Sequence, residues 1–311
     1  MADPEEHTML KTIVVGIDGR EGGRDALALA GSLQRAFASE LVAVHAYPLD
    51  VHLGRGADGE YENVIRDRAV DVAKDAVERS GASARPFVVA DGSPGRALHS
   101  AATAHGAGLI VVGSAHRGRV GRVLAGDVSV GTLHGAPCPV LVAPRGYAEH
   151  GGELSTIGVG FDGSPESRAA LEFAHRIAET VGAHLRVICV VVPPDPGGPS
   201  QDWAEHAHRR RADAEERLAA ALAELGEIAT GALPVGDPAR ELSDAAHDLD
   251  LLVTGSRGYG PVRRLMLGST STKLVHEAPC PILVLTRGVG QEPEDARPAE
   301  AVALASEADR A

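Results

Sequence analysis

The residues with the clearest chemical potential lie between Gly255 and Ser271, in the segment GSRGYGPVRRLMLGSTS. The segment follows an apolar run and ends where Ser269 and Thr270 mark the expected start of a helix. Glycines let backbone N–H groups approach an anion closely, and a helix N-terminus adds the positive end of a dipole. We therefore predict a phosphate-binding loop with the pattern G-x2-G-x9-G-S. Its candidate residues are Gly255, Arg257, Gly258, Gly260, Gly268, Ser269 and Thr270.

Two common nucleotide-binding motifs do not match this loop. A Walker A loop requires G-x4-G-K-[ST], and none of Lys11, Lys74 and Lys273 stands where that lysine belongs. The G-x-G-x-x-G fingerprint of a Rossmann dinucleotide-binding domain is also missing after the first predicted strand. The alternative to a phosphate-binding loop is a flexible loop that leads into an ordinary helix cap.

The chain contains a long internal repeat. IVVGIDG at Ile13–Gly19 reappears as IGVGFDG at Ile157–Gly163, and GAPCPVLV at Gly135–Val142 reappears as EAPCPILV at Glu277–Val284. Between Gly113 and Val142, 14 of 30 positions are identical in the later copy. The period exceeds the roughly 20–50 residues of solenoid repeats, so each copy is interpreted as a whole domain.

Strand and helix patterns alternate in each copy. Thr12–Ile17 is a β-branched run typical of a strand buried on both faces, and Arg24–Ser39 has the apolar spacing of an amphipathic helix. Such alternation predicts parallel strands joined by right-handed crossovers. We therefore predict two tandem Rossmann-like α/β domains, each with a five-stranded parallel sheet and helices on both faces. The predicted segments are an N-terminal tail (1–10), domain 1 (11–145), a linker (146–154), domain 2 (155–286) and an acidic, disordered tail (287–311).

Composition and charge restrict the classes of partner. The 311 residues include 30 basic and 43 acidic side chains, a formal net charge of −13, and only 3% are aromatic. Such a surface repels nucleic acid and anionic lipid, and few aromatic rings are available to stack on single-stranded bases. No apolar run approaches the ~20 residues of a membrane span, and the acidic N-terminus differs from a signal peptide. These features predict a cytoplasmic protein with neither nucleic-acid nor membrane partners.

No pattern for catalysis or metal binding stands out. The three cysteines lack C-x-x-C spacing, and the 14 histidines show no H-E-x-x-H motif. A G-x-S-x-G nucleophile elbow is also missing. We therefore assign no nucleophile, general base or metal ligand from the sequence.

With its motifs in this order, the sequence resembles the universal stress protein family in its tandem two-domain form. The resemblance covers both repeats and rests on three features: V-G-x-D at the end of the first strand, the G-x2-G-x9-G-[ST] loop, and A-P-C-P before the last strand. The family implies a Rossmann-like fold, nucleotide binding in some members and frequent dimerisation through the last strand. For this chain, that contact would form a homodimer or pair the two domains within one chain.

The resemblance also implies roles for residues of the second copy. The phosphate-binding loop would hold the phosphates of ATP. Gly160 and Asp162 belong to the V-G-x-D motif, and Asp162 would face the adenosine. Its carboxylate could accept a hydrogen bond from a ribose hydroxyl or the adenine amine, or help to orient Mg²⁺. Alternatively, Asp162 and its counterpart Asp18 only bond to the turns that follow them.

The first copy departs from the loop pattern at two positions. His116 stands where Gly258 falls, and Asp127 stands where Ser269 falls. A carboxylate there would repel a triphosphate by ~1 kcal/mol in water-like surroundings, and more if desolvated, unless nearby arginines offset it. We therefore expect an intact second site and a weakened first site. The candidate residues of the first site are Gly16, Asp18, Gly113, Arg117, Gly118, Gly126 and Ser129.

The resemblance, together with the loop pattern, implies a nucleotide-dependent regulator of the stress response that binds ATP, with Mg²⁺ accompanying it, mainly in domain 2. Its bound state would be recognised by a regulatory protein partner that the sequence does not identify. Hydrolysis is expected to be slow at most, because the loop provides phosphate donors but no identified lysine or water-positioning carboxylate. Two alternatives are open: a nucleotide-independent protein-interaction module and a slow ATPase.

Overall fold

The computed structural model describes residues 9–48, 59–115, 121–194, 203–256, 268–286 and 301–303. The chain divides into two compact units. Unit 1 contains the residues up to Gly151 together with those from Thr286 onward, and unit 2 contains Gly152–Leu285. Within the described ranges, no helix is both long and apolar enough to cross a membrane.

Unit 1 is built on a parallel sheet with the strand order β3-β2-β1-β4-β5. Helices α1 and α2 pack together, as do α3 and α4. Its elements are β1 (Thr12–Gly16), α1 (Glu21–Phe37), β2 (Glu40–Tyr47), α2 (Gly59–Ser80), β3 (Ala84–Ala90), α3 (Pro94–Ala104), β4 (Leu109–Gly113), α4 (Asp127–Leu133), β5 (Val140–Ala143) and α5 (Tyr147–His150).

Unit 2 repeats this topology with the strand order β8-β7-β6-β9-β10. Its elements are β6 (Thr156–Gly160), α6 (Pro165–Val181), β7 (His184–Ile188), α7 (Trp203–Leu225), β8 (Ala229–Ala232), α8 (Pro238–Ala245), β9 (Leu251–Gly255), α9 (Ser269–Glu277) and β10 (Ile282–Leu285). The prediction of a five-stranded parallel sheet with flanking helices in each copy is therefore confirmed.

The central strands owe their position to their apolar sequences. Ile13, Val14 and Val15 of β1 have no exposed surface, and the same is true of Ile110 and Val111 in β4. Parallel strands covered by helices on both faces need this kind of continuous β-branched run. The first strand keeps this apolar character in both copies, and so does the fourth, where GLIVVGS at Gly108–Ser114 reappears as DLLVTGS at Asp250–Ser256.

Two glycines allow helices to pack closely on the ends of the fourth strands. A Cβ atom on Gly113 would overlap the backbone of Gly22 in α1. A Cβ atom on Gly255 would lie 2.6 Å from the carbonyl oxygen of Glu166 in α6. Both glycines were predicted to contact phosphate, but their first role is to bring a helix start against a strand end.

Part of the predicted linker is folded onto unit 1. The carboxylate of Asp25, which is 1% exposed, accepts hydrogen bonds from the backbone N–H groups of Gly146 (2.8 Å) and Ala148 (2.9 Å). The side chain of Tyr147 is buried beside them at the start of α5. Asp25 therefore holds the beginning of the linker against α1.

The C-terminal tail contributes one short strand, β11 (Ala301–Ala303). It pairs antiparallel with β3, with Ala301 opposite Val89. The rest of the segment for which disorder was predicted lies outside the described residues.

Candidate functional site

Unit 2 contains a pocket of about 280 Å³ at the carboxyl ends of β6, β7 and β9, which we call the unit 2 pocket. The start of α9 and one side of α7 complete its described lining. In a doubly wound sheet, the crevice outside these strand ends is the usual place for a ligand. The fold therefore places the pocket where the glycine pattern predicted a binding site.

The start of α9 provides the polar end of the pocket. Gly268 is its N-cap residue, with φ −61° and ψ 155°, and no side chain among the described residues caps the helix there. Gly268, Thr270 and Ser271 all line the pocket. The first N–H groups of a helix have no partner within the helix, so an acceptor placed here would meet backbone donors and the positive end of the dipole.

The hydroxyl of Ser271 has a structural task. It donates to the carbonyl oxygen of Gly255 at 2.9 Å, and Ser129 donates to Gly113 in unit 1 over the same distance. These bonds fix the helix start to the end of the fourth strand. Ser129 was predicted as a weak phosphate contact, but in the described structure its proton is already committed to Gly113.

Asp162 lies at the rim of the pocket, just after β6. Its Oδ1 atom accepts from the backbone N–H of Ser164 at 3.0 Å, and from the hydroxyl of Ser164. Gly163, with φ +80°, provides the left-handed turn between them. Asp18 in unit 1 makes the equivalent bond to the N–H of Arg20, also at 3.0 Å. Both aspartates therefore bond to the turns that follow them through Oδ1. In unit 2, these bonds also fix the orientation of the Asp162 carboxylate beside the pocket.

Helix α7 adds two arginines that the motif analysis missed. Arg210 and Arg217 both line the unit 2 pocket. Arg210 also donates to the carbonyl oxygen of Val192 at 3.1 Å. The two arginines stand seven residues apart, a spacing that puts them on one helix face. This spacing, with the small Ala214 between the two arginines, was the sequence signal that could have assigned them to the buried face of α7. Ala214 is indeed only 1% exposed.

The other arginines of the same run have exposed partners. Arg211 pairs with Glu215 at 2.9 Å, and Arg209 pairs with Glu205. The interpretation of the Arg209–Arg211 run as intrahelical pairing is therefore confirmed for these two side chains. Arg210 differs from both because it points to the pocket side of α7.

Arg217 lies in an unusual environment. Within the part of the chain that the structure describes, its Nε atom is buried without a hydrogen-bond partner. The pKa of the nearby Cys189 thiol is raised, mainly by burial. The Arg217 guanidinium opposes this shift, and the Asp162 carboxylate adds to it. Arg217 and Asp162 therefore both lie near Cys189, on the β6–β7 side of the pocket.

The remaining wall of the unit 2 pocket is apolar. Phe161, Ile188, Val190 and Leu242 are among its lining residues. A surface of this kind can cover the faces of a planar heterocycle, while polar groups at the edges fix its orientation. The pocket thus combines an apolar wall, three carboxylates (Asp162, Glu166 and Asp213), two guanidinium groups and a helix N-terminus.

Unit 1 has a corresponding pocket of about 340 Å³, which we call the unit 1 pocket. Asp127, the first residue of α4, lines it at the position of Ser269 in the other copy. The pocket also includes His45 of β2, whose Nδ1 atom lies 3.0 Å from the carbonyl oxygen of Ile17. The two pockets therefore have similar size and placement but different polar groups.

The structure brings together most of the predicted site residues that it describes. Gly160, Asp162, Gly255, Gly268 and Thr270 line the unit 2 pocket, whereas Ser269 begins α9 without being part of that lining. The residues lining the unit 1 pocket include Gly16, Asp18, Gly113, Gly126 and Ser129. Arg257, Gly258, Gly260, His116, Arg117 and Gly118 lie outside the described residues.

Metal binding has no candidate cluster in the described ranges. No group of three or more His, Cys, Asp or Glu side chains there could hold a metal ion. All three cysteines of the chain are free and buried. Burial raises the pKa of Cys138 and Cys280 to about 12.

The comparison with protein families matches this duplicated architecture. The sequence model described as the Universal stress protein family matches twice, at residues 9–144 and 153–286. The chain belongs to this family. Both matches coincide with the two repeats, so this universal stress protein carries the family domain in tandem.

Individual relatives agree with this assignment. A universal stress protein of Mycolicibacterium smegmatis is 32% identical over 184 residues, which cover 57% of this chain and 61% of the relative. A universal stress protein of Mycobacterium tuberculosis is 28% identical over 303 residues, which cover 88% of this chain and 99% of the relative. A crystal structure of a universal stress protein from Archaeoglobus fulgidus has a TM-score of 0.65 at 22% identity, covering 89% of this chain and 99% of that one. This last likeness supports the fold.

Proposed function

We propose that this universal stress protein binds ATP in the unit 2 pocket and acts as a nucleotide-dependent regulator. The observation that carries the proposal is the pocket itself. An uncapped helix start, an oriented carboxylate and an apolar wall surround one cavity at the carboxyl ends of parallel strands. These are the three kinds of contact that phosphate, ribose and base require.

The phosphates would lie against the start of α9. Gly268 has a backbone conformation that any residue can adopt, so its glycine is not required by the helix start. A glycine there does leave room for a phosphate to approach the N–H groups of Thr270 and Ser271. This gives Gly268 a role that the helix alone does not explain.

The nucleoside would occupy the opposite part of the pocket. The faces of the base would pack on Ile188, Val190 and Leu242. Asp162, held by its turn, would accept from a ribose hydroxyl or the adenine amine. Arg217 would donate to an acceptor on the same nucleotide, since Arg side chains have donors only.

Mg²⁺ would enter with the nucleotide and be held mainly by its phosphate oxygens. The carboxylates of Asp162, Glu166 and Asp213 line the pocket beside the arginines, so a cation would also reduce their repulsion of the phosphates. The described lining contains no lysine, which favours retention of ATP over rapid hydrolysis. The bound state would then be the signal that a regulatory partner recognises.

Titration calorimetry with ATP and Mg²⁺ tests this proposal. Wild-type protein is expected to bind ATP, and Gly268→Ala is expected to weaken binding about tenfold or more, roughly 1.4 kcal/mol. The far-UV circular dichroism spectrum should be unchanged, because Gly268 has φ −61°, which alanine adopts readily.

Acid extraction of the purified protein provides an independent check. Release of ATP or AMP from wild-type protein, and less from the Gly268→Ala variant, would support nucleotide binding. Unchanged ATP affinity in the variant would refute the assignment of the α9 start as the phosphate site. Failure of the wild type to bind ATP would favour a nucleotide-independent interaction protein.

A further inference from the structure

The two pockets share the half that would hold a nucleoside. Asp18 and Asp162 have the same place after the first strand of each unit and make the same turn bond at 3.0 Å. Both pockets also have an apolar wall. In the unit 1 pocket, this wall is formed by Ile17, Val44, Ala46, Leu98 and Val112.

The pockets differ in the half that would hold phosphate. Unit 2 has the hydroxyl residues Ser269 and Thr270 at the start of α9, and of these two Thr270 lines the pocket. Unit 1 presents Asp127 and Val128 at the start of α4. A carboxylate and an isopropyl group therefore replace two hydroxyl groups at the point where a helix would otherwise attract an anion.

The total charge of the described lining does not separate the two pockets. The unit 1 pocket has Asp18 and Asp127 against Arg20, and the unit 2 pocket has three carboxylates against Arg210 and Arg217. Each set sums to one negative charge. The difference is the location of the charge, since Asp127 stands at the helix start itself.

His45 adds an acceptor to the unit 1 pocket. Its Nδ1 atom lies 3.0 Å from the carbonyl oxygen of Ile17, which can only accept. Nδ1 therefore donates to Ile17, and in the neutral form of the ring the lone pair lies on Nε2. With Asp18 and Asp127, the pocket presents hydrogen-bond acceptors, which suit a ligand with hydroxyl and amine donors.

We propose that the unit 1 pocket binds an uncharged purine nucleoside, with adenosine as the simplest case, in preference to its phosphorylated forms. The inference rests on the proposed nucleotide binding in unit 2, because it takes the nucleoside half to be common to both pockets. Repulsion by Asp127 lowers the affinity of the unit 1 pocket for ATP about tenfold or more relative to adenosine. One chain would then bind a nucleoside in one pocket and its triphosphate in the other.

Equilibrium dialysis of the full chain with labelled adenosine tests this inference in saturating unlabelled ATP and Mg²⁺. ATP occupies unit 2, so the expected result is about one adenosine retained per chain. Ala46→Phe, which adds bulk to the unit 1 wall, should remove this retained adenosine without changing ATP binding. Circular dichroism checks that the variant is folded.

Asp127→Asn is a variant that should gain ATP binding at the unit 1 pocket. The change keeps the shape of the side chain at an exposed position and removes only its charge. ATP should then compete at the unit 1 pocket, so the ATP stoichiometry rises from about one toward two and the retained adenosine falls. Val128→Thr, at the neighbouring position, serves as the matched neutral control and should leave the preference for adenosine over ATP in place.

The outcomes separate the two proposals. Two ATP molecules bound per wild-type chain, or no adenosine retained beside ATP, would overturn the inference while nucleotide binding in unit 2 stands. No ATP bound to the wild type would overturn the proposed function. In that case, adenosine that is still bound and is lost only in Ala46→Phe would support the nucleoside pocket of unit 1 by itself.

Discussion

At the scale of single residues, glycines with similar sequence context have different tasks. Gly255 and Gly268 belong to one motif, yet Gly255 is enclosed by the backbone of α6 whereas Gly268 lines the pocket at a helix start. A glycine pattern alone gives equal weight to both. Only the packing of α6 separates the residue that the fold requires from the residue that a ligand would require.

Gly255→Ala is expected to lower the free energy of unfolding by about 1–3 kcal/mol, because the added methyl group would lie 2.6 Å from a backbone oxygen. Urea unfolding of Gly255→Ala beside Gly268→Ala measures the contrast. Gly268→Ala should unfold close to the wild type. Equal midpoints for all three proteins would mean that α6 moves away without cost.

Arg217 illustrates a site residue that belongs to no motif. A Cβ on Gly163 would lie 2.6 Å from Cδ of Arg217, and a Cβ on Gly19 would lie 3.0 Å from Cγ1 of Val72. The two side chains therefore have equivalent places in the two units. Unit 1 has an apolar group where unit 2 has a cation.

Arg217→Val should lower ATP affinity about tenfold, since it removes a cation and its donors from the pocket. The matched control is Arg211→Val, which places the same β-branched residue in the same helix but removes an exposed ion pair. Calorimetry on both variants gives the comparison. A similar loss of affinity in both would assign the effect to the helix and not to the pocket.

At the scale of elements, equivalent helices of the two copies end in the same left-handed conformation but with different residues. The C-cap residue of α1 is Ala38, with φ +51° and ψ +37°, and the C-cap residue of α6 is Gly182, with φ +72° and ψ +28°. Both are left-handed, and glycine has no penalty there. This turn also ends α1 before Ser39, where the sequence pattern had placed the end of the helix.

Ala38→Gly is expected to raise the free energy of unfolding by about 1 kcal/mol, through relief of the left-handed alanine. Gly182→Ala should have the opposite effect of similar size. Chemical denaturation measures both. A stabilising Gly182→Ala would contradict the argument, because it would mean that the helix end tolerates a side chain in this conformation.

The elements themselves could be predicted from the sequence because their signals are local. An apolar β-branched run identified β1, and the repeat extended this assignment to β6 in the second copy. Arg210 and Arg217 could not be assigned, because their role depends on which face of α7 meets the sheet. Asp25 was missed for the same reason: its two backbone donors lie more than 120 residues away in the sequence.

At the scale of the whole molecule, duplication gives one chain two pockets with separate chemistry. ATP should therefore stabilise unit 2 selectively, by about 2.7 kcal/mol at a concentration one hundred times its dissociation constant. Trp203, the single tryptophan of the chain, belongs to α7 of unit 2, so its fluorescence should follow the unfolding of that unit.

Thermal unfolding followed by tryptophan fluorescence and by circular dichroism tests this selectivity. ATP should raise the unfolding temperature of the transition that fluorescence follows, which belongs to unit 2. It should have a smaller effect on a transition that only circular dichroism detects, which would belong to unit 1. Adenosine should raise both. Equal shifts with ATP would mean that both units bind it or that they unfold together.

The buried cysteines have a kinetic consequence. Alkylating reagents consume the thiolate, and a thiol with a pKa of about 12, as in Cys138 and Cys280, is ionised to about one part in ten thousand at pH 8. A cysteine in an unfolded chain is ionised far more and is open to the reagent. The rate of alkylation at Cys138 therefore reports the opening of unit 1, and the rates at Cys189 and Cys280 report the opening of unit 2. The protein thus carries its own reporters of local opening, which need no engineered residue.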